Sequence, residues 1–148
     1  MHSRKKGFTL IEMLLVIAII AVLISVLTPV LIQNTKKAKA AADAANLKNI
    51  LGIMNVELSG QDNIEEIVKN VPSIESQYAK NAVIRILYTR PCFVDAYFVD
   101  ADGHYYGTYY LAEVATDGKS NFPVSKPVSL GEWYEAGTGK IIDPETGE

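Results

Sequence analysis

The sequence predicts an α+β protein in which one long N-terminal helix, kinked by a proline, packs on a small antiparallel β-sheet. Residues 13–35 carry no charge, and the apolar run among them ends at Ile32. Leucine, isoleucine and methionine then recur at helical spacing as far as Leu58. After residue 80, runs of β-branched and aromatic residues alternate with turn sequences, which is typical of strands. We therefore expect one helix from about Thr9 to Leu58, followed by the sheet.

The uncharged stretch predicts a membrane helix. At about 1.5 Å per helical residue it is long enough to cross a bilayer core of roughly 30 Å. Arg4, Lys5 and Lys6 precede it, and the positive-inside tendency keeps such an end in the cytoplasm. Pro29 lies within the stretch and lacks a backbone N–H, so a kink is expected near residues 25–29. Most of the chain is then predicted to be extracytoplasmic.

Glu12 carries the one charge between Lys6 and Lys36. A carboxylate inside an apolar segment is energetically costly, which indicates a function and a cationic partner. The apolar run holds no such cation, whereas cleavage after Gly7 would create an α-amine on Phe8. That amine lies four residues before Glu12 on the same helical face. A staggered neighbouring helix could bring the same two groups together between chains.

The segment Gly7–Glu12, with the sequence Gly-Phe-Thr-Leu-Ile-Glu after a short basic leader, resembles the type IV prepilin signature. The resemblance implies cleavage between Gly7 and Phe8 by a prepilin peptidase, N-methylation of Phe8, and stacking of the apolar helices into a filament core. Glu12 would be neutralised there by Phe8 of a neighbour, and Pro29 stands where the family usually has a kinking proline. An assembly platform and its ATPase are implied as indirect partners.

The resemblance also implies an organisation and a function. Residues 1–7 would be the leader, 8–34 the transmembrane and filament-core helix, and 35–148 the extracellular head, which includes the second half of the helix. The chain would be a single-pass membrane protein that polymerises into a surface type IV pilus for motility, adhesion or biofilm formation.

Three other interpretations stay open beside the type IV pilus. The N-terminal residues equally fit a pseudopilin of a type II secretion or DNA-uptake system. A monomeric, membrane-anchored module whose tyrosine-rich sheet binds a glycan is an alternative of another class. A secretory signal peptide cut after residues 38–40, or a plain anchor, fits less well, because the run is too long for the former and neither explains Glu12.

The charge distribution is uneven. The formal net charge is −3, and it becomes −6 when Arg4, Lys5 and Lys6 leave with the leader. Such an acidic chain disfavours nonspecific nucleic-acid binding, which depends on neutralising phosphates. The basic residues that follow the apolar run are Lys36, Lys37, Lys39 and Lys48. They fit contact with anionic lipid or an acidic neighbour, and equally a solvated helix face.

The remaining sequence predicts the elements of the head. A capping pattern from Asp62 to Glu65 starts a short helix through Lys69, and a further helical turn is expected within residues 73–80. Strands are predicted at 83–89, 92–99 and 104–111, a loop at 117–127, and a closing hairpin from 132–135 and 140–142. Residues 100–103 predict a hairpin turn rather than a calcium loop, because the later ligand positions are not acidic.

Side chains that could carry chemistry in the head favour structural roles. Six tyrosines at strand spacing predict cross-strand packing more than a carbohydrate surface. Cys92 is the single cysteine, expected to be a buried strand residue rather than half of an intermolecular bridge. It cannot alone form the C-terminal disulfide of many Gram-negative pilins, so the resemblance points to a pilin of Gram-positive type or from another thiol-poor source. Without a nucleophile motif, phosphate loop or metal spacing, we expect no enzyme, cofactor or metal.

Overall fold

The computed structural model describes residues 8–60, 63–89, 93–120 and 131–143. Within these ranges it contains three helices and five strands. In chain order they are α1 (Leu10–Leu58), α2 (Ile64–Asn70), β1 (Val83–Thr89), β2 (Phe93–Val99), β3 (Tyr105–Gly107), α3 (Thr108–Asp117), β4 (Glu132–Glu135) and β5 (Ile141–Ile142). The chain divides into two compact units, Met1–Thr35 and Lys36–Glu148. A long helix packed on a small antiparallel sheet confirms the predicted α+β class.

The part of α1 in the first unit is an apolar helix with its side chains exposed. In the described part of the chain, α1 is the one helix long and apolar enough to cross a membrane. Its few polar side chains return their hydrogen bonds to carbonyls of the preceding turn, as in Ser25 to Val22 and Thr28 to Ile24, both at 2.7 Å. The helix runs on through Pro29, and the kink itself stays a prediction.

In the second unit, one face of α1 forms the core with the sheet. Leu47, Ile50 and Met54 are buried and recur three or four positions apart, as the apolar periodicity predicted. The other buried residues of α1 precede them: Ala40, Asp43 and Ala44. Ile84, Ile86 and Phe98 of the sheet belong to the same buried cluster. This packing attaches the sheet to the helix.

The sheet is antiparallel, with strand order β3-β2-β1-β4-β5. At its centre Ile86 lies opposite Ala96 on β2 and opposite Tyr134 on β4. Successive residues of a strand point to opposite faces, so Leu87 lies on the face away from Ile86. A second buried cluster covers that other face: Leu87, Val99, Tyr105, Trp133 and Ile142. Both faces of the sheet are therefore apolar.

Most of the predicted head elements are confirmed. Strand β1 has the predicted bounds, α2 ends at Asn70, and the closing hairpin is β4 and β5. The turn from residue 100 to 103 joins β2 to β3, with the Gly103 N–H donating to the Asp100 carbonyl at 3.1 Å. Asp62, Cys92 and residues 121–127 of the predicted loop lie outside the described residues.

Two predictions about the head are wrong. Residues 73–80 form no helical turn, because Glu75 bridges to Val83 and the following amides bind a side chain of α1 instead. The strand predicted at 104–111 stops at Gly107, and α3 takes over. Leu111 and Val114, three residues apart, are buried on one face of α3, so tertiary packing overrides the β-propensity of the tyrosines. Gly118, at φ 69°, ends α3 with its N–H on the Val114 carbonyl at 2.8 Å.

Candidate assembly site

The first turn of α1 is fixed by a reciprocal pair of hydrogen bonds. The amide N–H and the hydroxyl of Thr9 both donate to Oε2 of Glu12, each at 2.7 Å. The Glu12 N–H donates back to the Thr9 hydroxyl oxygen at 3.3 Å. Helix starts carry unpaired amides, and a Thr-x-x-Glu sequence satisfies two of them in this way, an arrangement known as a capping box. The Glu12 carboxylate therefore has a defined position at the start of the helix.

The structure brings Glu12 to Thr9 rather than to Phe8. Phe8 is 74% exposed in the single chain, and Leu10, two residues along, is 81% exposed. Gly7 and the rest of the predicted leader lie outside the described residues. Sequence reasoning missed the role of Thr9, although the Thr-x-x-Glu spacing before an apolar run was the signal that identifies a capping box.

The capping box leaves Glu12 able to meet a cation. Both bonds from Thr9 end on Oε2, so they leave Oε1 for a second partner. A carboxylate accepts several hydrogen bonds at once, and the cap does not neutralise its charge. The geometry therefore presents a positioned anion near the start of an exposed apolar helix.

A second positioned carboxylate, Asp43, lies fully buried on the other half of α1. It accepts hydrogen bonds from the hydroxyl of Ser76, from the Gln77 N–H at 3.0 Å and from the Tyr78 N–H at 2.9 Å. Three donors satisfy a buried charge that would otherwise be costly. Asp43 thus ties the segment between α2 and β1 to the helix. Sequence reasoning missed it, because one aspartate in an alanine-rich helix looks solvated.

Two carboxylates and one imidazole lie close together at the turn between β2 and β3. The ligand atoms of Asp100, Asp102 and His104 lie within 4.8 Å of one another, so they could approach one metal ion. The Asp100 carboxylate already accepts the N–H groups of Asp102 and His104, at 3.0 and 2.9 Å, and the Tyr106 hydroxyl at 2.9 Å. Burial acts to raise the pKa of Asp100, but these hydrogen bonds lower it below its usual value. These hydrogen bonds within the hairpin are sufficient to explain why the Asp100 carboxylate lies where it does.

The tyrosines pack in two groups, one on each face of the sheet. On one face the rings of Tyr97 and Tyr105 lie 6.1 Å apart, and Trp133 is 5.3 Å from Tyr105. On the other face Tyr106 contacts two further rings, Tyr78 at 6.1 Å and Tyr110 at 6.0 Å. Packing is therefore confirmed for these tyrosines. Tyr109, which lies on α3 beside Tyr110, differs because its side chain is 79% exposed.

Comparison with known proteins places the N-terminal motif in a family. Residues 2–28 match the prokaryotic N-terminal methylation motif. The type II secretion system core protein G of Escherichia coli (strain K12) is 31% identical over 126 residues, which are 79% of this chain and 86% of that protein. The chain belongs to the type IV pilin-like family.

A second relative of this pilin-like chain is the type II secretion system core protein G of Pectobacterium carotovorum subsp. carotovorum. It is 29% identical over 124 residues, 78% of each chain. No solved structure matches the pilin-like chain. The methylation motif spans Gly7, Phe8 and Glu12, so the predicted family is confirmed. Cleavage after Gly7, methylation of Phe8 and the assembly role of Glu12 stay predictions.

Proposed function

We propose that this pilin-like chain is a pseudopilin, the filament subunit of a type II secretion machine, with a structural rather than a catalytic role. The observation that carries the proposal is the 31% identity to a secretion core protein across 86% of its length. That likeness extends well beyond the N-terminal motif into the head. It supports the pseudopilin alternative over the surface pilus. The only support for a pilus used in motility or adhesion is the N-terminal signature, which both classes share.

The apolar helix has two roles in this function, one before the filament assembles and one during assembly. Before assembly, residues 10–32 hold the subunit in the membrane with the head outside. During assembly the same side chains leave the lipid and pack against neighbouring subunits. The large apolar side chains in this stretch are 44 to 81% exposed in the single chain, so neighbours can bury much of their surface. Burial of apolar surface and close packing then hold the filament core together.

Glu12 fixes how the helices stack. A carboxylate buried among apolar helices is stable only when a cation meets it at the same depth. Prepilin peptidase supplies that cation by cutting after Gly7 and freeing the amine of Phe8. The capping box with Thr9 holds the carboxylate in place while the Phe8 amine of a neighbour approaches. A helix in the wrong register leaves both charges unpaired, so the pair selects one stagger.

Deletion of the gene in its native cells tests the proposal. We expect exported proteins to accumulate inside the cells, the wild-type gene to restore their release, and a Glu12→Ala gene to fail. Normal export together with the loss of surface pili would contradict the proposal and favour the type IV pilus. Sedimentation of the overproduced chain tests the monomeric glycan-binding alternative, which predicts no polymers.

A further inference from the structure

Lysines from separate segments gather at one end of the second unit. Lys36, Lys37 and Lys39 follow the apolar run directly in α1. The Lys37 ammonium donates to the carbonyl oxygen of Thr116 at 3.0 Å, which places the end of α3 beside it. Lys119 follows Thr116 by three residues and is exposed.

A third segment joins the same end. The Lys36 ammonium lies 5.7 Å from the centre of the Tyr78 ring, a distance at which a cation and an aromatic face attract. Lys80, two residues after Tyr78, is exposed. We call this set the basic end: Lys36, Lys37, Lys39, Lys80 and Lys119.

The basic end contrasts with the rest of the chain. It holds five of the eleven lysine and arginine residues that follow the leader, in a chain whose net charge is −6 without the leader cations. Asp117 lies beside it, and its Oδ1 accepts the amide N–H groups of Lys119 and Ser120, at 2.8 and 3.1 Å, which leave its charge in place. Glu113, one turn earlier in α3, is half-buried. The five lysines outnumber these two carboxylates, so the basic end keeps a net positive charge.

The position of these lysines also works against the orientation of the chain. Positive residues directly after an exported helix oppose the positive-inside tendency that keeps the leader in the cytoplasm. A merely solvated helix face could carry glutamine or asparagine at the same positions without this conflict. The presence of lysines at these positions therefore calls for an explanation other than solvation.

We infer that the basic end binds the anionic phospholipid headgroups of the outer leaflet while the subunit waits in the membrane. The inference rests on the proposed function, because it takes the head to be outside. The apolar run ends at Ile32, and Lys36 follows it by four residues, which is about 6 Å along a helix. If Ile32 marks the edge of the hydrocarbon core, Lys36 lies at the depth of the phospholipid headgroups. Lysines attract an anionic surface within a Debye length, about 8 to 10 Å in physiological salt.

The binding has a consequence for assembly. Because the remainder of the head is acidic, an anionic surface attracts its basic end and repels the rest. The head is thereby held in one orientation on the membrane, with the helix ready to be lifted out. Entry into the filament then exchanges lipid contacts for contacts with neighbouring subunits.

Lipid selectivity of the full chain, reconstituted unassembled in phosphatidylcholine bilayers, tests the inference. Spin-labelled phosphatidylglycerol and spin-labelled phosphatidylcholine compete for the shell around the protein, and the ratio of their bound fractions gives the preference. The test variant carries Lys39→Gln, Lys80→Gln and Lys119→Gln, which leaves the contacts of Lys36 and Lys37 intact. The matched control removes the same charge from exposed lysines elsewhere: Lys48→Gln, Lys69→Gln and Lys140→Gln.

We expect the wild-type chain to prefer phosphatidylglycerol by roughly fivefold at low salt. The control variant should keep this preference, and the test variant should lose at least half of it. An equal loss in both variants, or no loss in the test variant, would overturn the inference. If the test variant keeps its lipid preference but forms no filaments, the lysines bind an acidic neighbour instead. Since the lipid assay needs no filament, a failed secretion assay leaves its result unaffected.

Discussion

Thr9 and Glu12 are joined by two hydrogen bonds to one carboxylate oxygen, each 2.7 Å long, at the first turn of α1. Glu12 therefore has a structural partner in its own chain besides the cation it is proposed to meet in the filament. The two roles are separable, because glutamine can accept the bonds from Thr9 without carrying a charge.

Replacement of Glu12 tests the charge. We expect Glu12→Ala and Glu12→Gln subunits to insert and to be cleaved, yet both to assemble poorly, because neither offers an anion to the Phe8 amine. Thr9→Val is the control, since it removes the capping hydroxyl and keeps the charge. Filament yield after shearing and sedimentation is the measurement. Normal filaments from Glu12→Gln would show that assembly does not need the charge of Glu12, and the capping hydrogen bonds with Thr9 would be its one remaining role.

Replacement of Gly7 tests processing. A bulky residue, as in Gly7→Val, should block cleavage, so that the chain stays in the membrane with residues 1–7 attached. Ser3→Val, within the leader but away from the junction, should be cleaved normally. The intact mass of each chain distinguishes the two. Cleavage of Gly7→Val at the wild-type rate would show that the junction lies elsewhere.

Asp43→Asn tests the bond between α1 and the segment before β1. The asparagine keeps the shape but turns an amide group toward donors, so we expect a loss of about 1 to 3 kcal/mol in the free energy of unfolding. Urea unfolding of the full chain in detergent measures this. The exposed Glu57→Gln on the same helix is the control and should change it by less than about 0.5 kcal/mol. An equal effect from both variants would contradict the role of Asp43.

Met54→Ala tests the core contact of α1. Met54 is fully buried, whereas Val56, two residues along, is 74% exposed. Because truncation of a buried side chain leaves a cavity, Met54→Ala should cost about 2 to 5 kcal/mol of unfolding free energy. Val56→Ala should cost less than about 0.5 kcal/mol. Similar losses at the two positions, in the same urea assay, would show that α1 packs through another face.

Tyr110 makes the head sensitive to alkali. Burial, followed by a hydrogen bond with Tyr78, raises the pKa of Tyr110 to about 12. Since the folded state holds the phenol proton more tightly than the unfolded state, its contribution to stability is full below about pH 10. It is lost as the pH rises from 10 to 12. Urea midpoints across this range should fall less steeply in Tyr110→Phe, and parallel curves would exclude Tyr110 as the cause.

The fold could be predicted where local pattern and tertiary packing agree. Strand β1 has the bounds that the sequence predicts, because its apolar run lies at the centre of the sheet and pairs with strands on both sides. Helix α3 could not be located, since its Tyr-Tyr pair favours a strand locally while Leu111 and Val114 bury a helical face. Asp43 could not be recognised either, because its three donors lie more than 30 residues away along the chain.

The candidate site was predictable to a different degree. Glu12 was evident because a lone charge in an apolar run is conspicuous, and the adjoining Gly7–Phe8 junction gave the family. Thr9 was overlooked, although its partner was already identified. The N-terminal residues could not distinguish a pilus subunit from a secretion pseudopilin, because both classes of protein share them.

The most direct test of the account is the N-terminal residue and intact mass of the chain recovered from its native cells. The account predicts a chain that starts at Phe8, with one methyl group on its amine. Such a start would provide the cation that Glu12 is proposed to meet. A chain that still begins at Met1, or one that begins at Ala41, would contradict processing at Gly7 and leave Glu12 without its partner.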